Sequence, residues 1–244
     1  MIVLKLGGSV ITDKERPETL DGGSLEQATD AVANALADEK LVVVHGGGSF
    51  GHHNASEHGV STTEGTHDAA ALLEIHGAMK TLNQFVLSRL LERDVEAVPV
   101  HPFSTAHRDA DGTLELPTGQ LETMLEEGFV PVLHGDVIAH AGAGATIVSG
   151  DELVAELARR LEADRIGLCS TVPGVLDADD AVIDRIRAYE DVASVLGASD
   201  ATDVTGGMAA KVRALLALEA EASIFGLEGL ASFLDGENPG TTIE

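Results

Sequence analysis

His45-Gly46-Gly47-Gly48-Ser49-Phe50-Gly51-His52 follows directly on the apolar run 41–44, Leu-Val-Val-Val. A short run of branched aliphatic residues closed by glycine reads as a buried strand. Three glycines in succession then leave a loop whose backbone amides are bare of side chains, and such a loop can cradle phosphate oxygens. His52 stands just beyond, where the next helix is expected to start. Neither the GxxxxGK[ST] spacing of a Walker A loop nor the GxGxxG dinucleotide fingerprint is present.

The same arrangement recurs on either side of this stretch. Residues 2–6 read as a buried strand that runs into Gly7-Gly8-Ser9, with Lys5 on its last turn. Two glycines let backbone N–H groups approach an anion, and the lysine can reach the same charge. Late in the chain, Asp203-Val204-Thr205-Gly206-Gly207-Met208 precedes Lys211. A helix opening there, capped by Thr205, would set its N-terminus and a lysine one turn in against an anion. Taken singly, each segment could equally be a plain turn or cap.

Between these segments, strand-like and helix-like patterns alternate, which predicts a mostly parallel sheet covered on both faces. Helices are expected from about residue 25, with Ser24 and Gln27 as a capping box, over 67–92, from Pro117, after Ser149-Gly150-Asp151 and near Met208. In the second of these, Leu72, Ile75, Met79, Leu82, Val86 and Leu90 recur at helical spacing. Further strands are expected at 95–100, 130–133, 165–169 and 222–225. Hairpins are expected around Asp111-Gly112 and in the Gly/Ala-rich segment 139–146. With 244 residues and no linker, the chain reads as one domain, 1–244, with lobes of one sheet dividing near residue 162.

Composition narrows the function. Forty-one acidic residues stand against fifteen basic ones, a net charge of −26, so a nucleic-acid partner is not expected. The acids are scattered rather than gathered in a tail, and aromatics are only 3%. Such a surface resembles that of proteins from salt-loving microbes, where dense carboxylates keep a chain in solution. The opening apolar run is too short for a signal peptide and no stretch approaches a membrane span, so a cytoplasmic protein without membrane contact is expected. One cysteine, Cys169, permits no intrachain disulfide and reads as a core residue. Only five lysines occur, at 5, 14, 40, 80 and 211, and three of them lie beside Gly-rich turns.

Lys5-Leu-Gly-Gly-Ser9, a triple-glycine loop after the second strand, and Thr205-Gly-Gly-Met-x-x-Lys211, in that order, resemble the signature of the amino-acid kinase superfamily. The element 45–52, with the run 9–14 (Ser-Val-Ile-Thr-Asp-Lys) upstream and Ser149-Gly150-Asp151 downstream, resembles that of the isopentenyl phosphate kinases. The resemblance implies a three-layer αβα fold, a homodimer, and transfer of phosphate from ATP, with Mg2+, to isopentenyl phosphate. It implies that Lys5, Gly7, Gly8 and Ser9 meet the ATP phosphates and that Lys14 stabilises the transition state. Gly48, Gly207 and Lys211 would face ATP. Gly47, His52 and Gly150 would hold the acceptor, and Asp151 would orient the lysines. Ile75, Val137 and Ile147 would line the prenyl pocket. The first lobe would take the acceptor phosphate, and the second, about 163–244, the nucleotide.

One segment departs from the family pattern. Where relatives carry a Thr-Asp-Val-Asp-Gly-like run followed by an aromatic, this chain has Ser170-Thr171-Val172-Pro173-Gly174-Val175-Leu176. Thr171, Gly174 and Leu176 are the corresponding nucleotide contacts here, without the acidic and aromatic side chains. The other readings weighed are a phosphonate kinase such as a fosfomycin kinase, and a nucleotide-binding module without catalysis. The remaining histidines show no metal-ligand spacing. His101 and His134 end strands and are placed to approach the pocket.

Overall fold

The computed structural model describes residues 1–35, 39–196 and 207–244. Its strands are β1 (Ile2–Leu6), β2 (Leu41–His45), β3 (Ala97–Pro99), β4 (His107–Arg108), β5 (Leu114–Glu115), β6 (Val130–His134), β7 (Asp136–His140), β8 (Gly144–Val148), β9 (Arg165–Ser170), β10 (Arg185–Ile186), β11 (Glu221–Gly226) and β12 (Thr241–Ile243). Its helices are α1 (Gly8–Ile11), α2 (Gly22–Ala35), α3 (Gly48–Glu57), α4 (Ala69–Leu91), α5 (Pro102–Thr105), α6 (Gly119–Glu126), α7 (Gly150–Arg160), α8 (Ala193–Leu196), α9 (Gly207–Leu216) and α10 (Leu230–Leu234).

Alternation along the strands builds two cores. In β1, Ile2, Leu4 and Leu6 join one core and Val3 the other. Val42 and Val44 of β2 share the Val3 side, while Leu41 and Val43 share the Leu4 side. Helices α6, α7 and α9 close the Val3 side through Leu121, Leu157 and Val212. Helices α2, α4 and α10 close the other through Leu25, Leu82 and Phe233. The layers are therefore helix, sheet, helix, as the alternating pattern predicts.

The main sheet runs β10-β12-β11-β9-β1-β2-β6-β3. All its pairings are parallel except β11 with β12. Cys169, Leu6, His45 and His134 lie in register across β9, β1, β2 and β6, and all four are buried. After this row the last three strands turn away through a glycine, each donating its N–H to the neighbouring strand. Gly7 bonds Cys169 O (2.9 Å), Gly46 bonds Leu6 O (3.0 Å) and Gly135 bonds His45 O (3.1 Å). The crevice at these carboxyl ends is where open α/β sheets bind ligands.

Some local expectations are corrected. Helix α2 begins at Gly22, and the Ser24 N–H goes to the Asp21 carboxylate (3.0 Å), so Ser24 lies inside the helix and caps nothing. Helix α6 begins at Gly119, two residues past Pro117. Both hairpins form, but they do not join the main sheet. They make a separate four-stranded sheet, β5-β4-β7-β8. The Asp203, Thr205 and Gly206 part of the late glycine motif lies outside the described residues.

Candidate active site

Two glycine turns meet over the carboxyl ends of β1 and β2, and their contact explains much of the glycine usage. A Cβ on Gly8 would stand 2.1 Å from Gly48 N, and one on Gly46 would stand 2.6 Å from Gly8 N. Gly48 has φ +49, and a Cβ there would meet Thr12 Oγ1 at 2.1 Å. These positions take glycine because backbone lies against backbone. Thr12 ties the junction, donating to Gly8 O (2.8 Å) and accepting from Ser49 N (3.0 Å).

The turns border a cavity of about 590 Å³. Its polar wall gathers residues from five places in the chain. Lys5 stands on β1, Lys14 on the exposed turn after α1, His52 on α3, Asp151 on the first turn of α7 and Lys211 on α9. Lys5 Nζ lies 2.6 Å from Asp151 Oδ1, and Lys211 Nζ lies 3.9 Å from Asp151 Oδ2. One carboxylate thus spans two cations contributed by opposite ends of the chain. Asp151 is held by a full capping box: Ser149 Oγ accepts the Glu152 N–H (3.2 Å), and Glu152 accepts the Ser149 N–H (2.9 Å). A Cβ on Gly150 would come within 3.2 Å of Lys5 Cε, so glycine there clears the path of the lysine.

The other end of the cavity is apolar. Val60, Ile75 and Val137 form a small buried cluster, with Ala55, Leu72 and Ile147 packed against it. Ala55, Val60, Ile75, Ile147 and the α4 residue Met79 face the cavity. Ala55, Val60 and Met79 carry no local signal of a cavity in the sequence, because Ala55 and Met79 lie in helices, where an apolar residue reads as ordinary core, and Val60 is a lone apolar residue just past α3.

Of the residues expected from the sequence, Lys5, Gly7, Gly8, Ser9, Lys14, Gly47, His52, Ile75, Ile147, Gly150, Asp151, Thr171 and Lys211 all line this one cavity. Five do not. Gly48 lies behind the wall against Thr12 and Gly8. Val137 backs Ile75 without reaching the space. Gly174 is packed against Thr241 and Val182, where a Cβ would stand 2.7 Å from each. Leu176 pairs with Val182 in an antiparallel bridge. Gly207 opens α9 beside the lining residue Met208. His52 is the fifth residue of α3 rather than its start, because Gly48 already belongs to the helix.

His101 and His134 do not reach the cavity. They join buried His45 in a group beneath the turns, His134 buried and His101 half-buried, with His101 Nδ1 2.9 Å from His134 Nε2 and the His45 and His134 rings stacked at 5.5 Å. Burial lowers the His45 pKa to about 4 and that of His134 well below the ordinary value. His76 meets the Asp136 carboxylate at 2.9 Å, and burial raises the pKa of that acid despite the contact. Burial also pushes the Cys169 thiol up to about 12, so this cysteine is a core residue and not a nucleophile.

Comparison with known proteins gives the family. Residues 1–224 match the amino acid kinase family. The isopentenyl phosphate kinase of Haloferax volcanii is 65% identical over the whole chain and 98% of its own length. That of Methanocaldococcus jannaschii is 32% identical over 100% of this chain and 98% of its own. A solved isopentenyl phosphate kinase structure superposes with a TM-score of 0.86 at 29% identity, covering 100% of this chain and 99% of its own. The chain belongs to the amino acid kinase family and, within it, to the isopentenyl phosphate kinases.

Proposed function

We propose that this protein transfers the terminal phosphoryl group of ATP to isopentenyl phosphate, giving isopentenyl diphosphate and ADP. The observation that carries the reading is the joining, in one cavity, of a lysine and glycine end with an apolar end walled by Val60, Ile75 and Ile147. A short branched hydrocarbon carrying a phosphate matches both ends. Gly7, Gly8 and Ser9 with Lys5 and Lys211 take the nucleotide phosphates, and Gly47, Gly150 and His52 take the acceptor. Asp151 sets the two lysines. Lys14 offsets the charge that spreads over the transferred group.

Transfer between two phosphates needs in-line placement and neutralisation of charge rather than a covalent intermediate. Lysines and glycine amides supply both in a chain whose −26 charge would otherwise repel its substrates. Mg2+ fits as an ion that arrives with ATP, since the groups lining the phosphate end are mainly cations and amides, donors suited to phosphate and not to metal. When bound with the nucleotide, it would offset phosphate charge alongside Lys5 and Lys211. The nucleotide is assigned to the second lobe, from about residue 163, and the acceptor to the first. We further read the protein as a cytoplasmic homodimer adapted to high salt. No helix among the described residues is long and apolar enough to cross a membrane.

The test is ATP consumption by the purified protein in molar KCl, with isopentenyl phosphate and with fosfomycin as acceptors. Turnover with isopentenyl phosphate is expected. Turnover with fosfomycin alone, or none with either, would overturn the reading.

A further inference from the structure

Two buried histidines outside the cavity lining, His45 and His134, share one device. His45 ends β2 and is followed by Gly46. Its Nδ1 lies 3.1 Å from Gly46 O. His134 ends β6 and is followed by Gly135. Its Nδ1 lies 2.9 Å from Gly135 O. The two residues pair in register, and the Gly135 N–H donates to His45 O at 3.1 Å. A carbonyl can only accept, so each Nδ1 must carry a proton.

The far nitrogens then decide the charge. His134 Nε2 faces His101 Nδ1 at 2.9 Å, a contact that one donor and one acceptor satisfy with both rings neutral. His45 Nε2 stands 3.1 Å from Asn83 Oδ1, while Asn83 Nδ2 is buried and finds no partner among the described residues. A half-turn of the Asn83 amide exchanges its two ends. Nδ2 then donates to Nε2, the orphan donor is satisfied, and His45 is neutral with its proton on Nδ1.

A trans peptide points its C=O and N–H in opposite directions. Fixing Gly46 O toward the imidazole therefore fixes the Gly47 N–H away from it, and Gly46 and Gly47 both line the cavity. We propose that His45 is a positioning residue for phosphoryl transfer: held by Asn83 as the neutral Nδ1–H tautomer, it sets the Gly46–Gly47 peptide so that the Gly47 N–H meets the acceptor phosphate. His134 holds the adjoining turn in the same way. The inference rests on the assignment of Gly47 to the acceptor made above.

Two measurements test it. The first needs no substrate: nitrogen-15 spectra of the imidazoles in the intact protein. A protonated Nδ1 and bare Nε2 on His45, unchanged between pH 6 and pH 8, are expected. A proton on Nε2, or on both nitrogens, overturns the proposal. The second compares His45→Asn with His45→Gln. Asparagine places its amide nitrogen near the Nδ1 position and glutamine near the Nε2 position, so the two match in polarity and differ in which contact survives. His45→Gln should lose on the order of 10- to 100-fold in kcat/KM for isopentenyl phosphate, the scale of losing an orienting partner behind a ligand group. The KM for ATP should move much less, and His45→Asn should recover most of the loss. Equal loss in both variants, or equal loss for both substrates, assigns His45 to packing alone and overturns the proposal. Because the tautomer is read without substrate, a wrong acceptor and a wrong tautomer are told apart.

Discussion

At the residue scale, each of three side chains makes a separate prediction. Lys14 is exposed on the turn after α1 yet lines the cavity. Lys14→Ala should keep its fold and lose on the order of 10²–10³ in kcat, the usual cost of one charge-stabilising contact. Wild-type turnover in the purified variant would refute its role. His52, one turn inside α3, is assigned to the acceptor. His52→Ala should raise the KM for isopentenyl phosphate, lower kcat, or both, with little change in the KM for ATP, while His52→Asn retains a donor and part of the activity. A variant that mainly weakens ATP would show the assignment to be wrong. The third prediction concerns pH. His45 titrates at about 4 when folded against an ordinary 6.5, so the unfolded chain binds more protons between those values. Stability should be unaffected above about pH 6.5 and fall as pH drops toward 4, by about 1.4 kcal/mol per pH unit well inside that window. His134, shifted the same way, adds to the fall, whereas Asp136, raised by burial, opposes it just above its ordinary 3.8. Urea midpoints at pH 7, 6 and 5 should decline, and the decline should be shallower in His45→Asn. Equal slopes in the two proteins would contradict it.

At the scale of elements, the glycine turns behave as packing joints as well as anion cradles. Gly8→Ala places a methyl group 2.1 Å from Gly48 N, where neither backbone can give way cheaply. The loss should reach at least the roughly 1–3 kcal/mol typical of overpacking, together with activity. Gly77, inside α4, provides the contrast, since a Cβ there meets nothing within 4 Å. Gly77→Ala should stabilise by roughly 0.5–1 kcal/mol through helix propensity. Thermal midpoints of the two variants should therefore move in opposite directions, and a common direction would refute the packing account. The α7 capping box is only half legible in the sequence: Ser149 stands before the expected helix, but its use in fixing Asp151 between Lys5 and Lys211 depends on strands and helices far apart in sequence. The short strands β4 and β5, two residues each, were legible only as a hairpin turn. Nothing so short carries a period from which to infer a separate sheet.

For the whole molecule, the net charge of −26 predicts dependence on salt. Close carboxylates repel one another over distances that dilute buffer does not screen, and molar salt shortens that reach to about 3 Å. Thermal stability and activity should rise from dilute buffer to molar KCl, and indifference to salt would refute the expectation. The sequence by itself determined the layered α/β fold, because apolar runs of strand length alternate with helical periodicity, and both signals are local. It also marked three lysines, because lysine is scarce and three of the five lie beside Gly-rich turns, and His52 beside the triple-glycine loop, whereas Asp151 was marked only by the resemblance to the isopentenyl phosphate kinases. Tertiary structure decided which glycines face the cavity and which face each other, since Gly8 and Gly48 touch across forty residues of chain. It decided that Val60 and Met79 join Ile75 at the apolar end, and that Gly174 and Leu176 serve packing outside the cavity lining. It also decided the charge of His45, since burial and the orientation of the Asn83 amide exist only once α4 lies against β2. These are contacts between segments remote in sequence, and no local pattern encodes their distance.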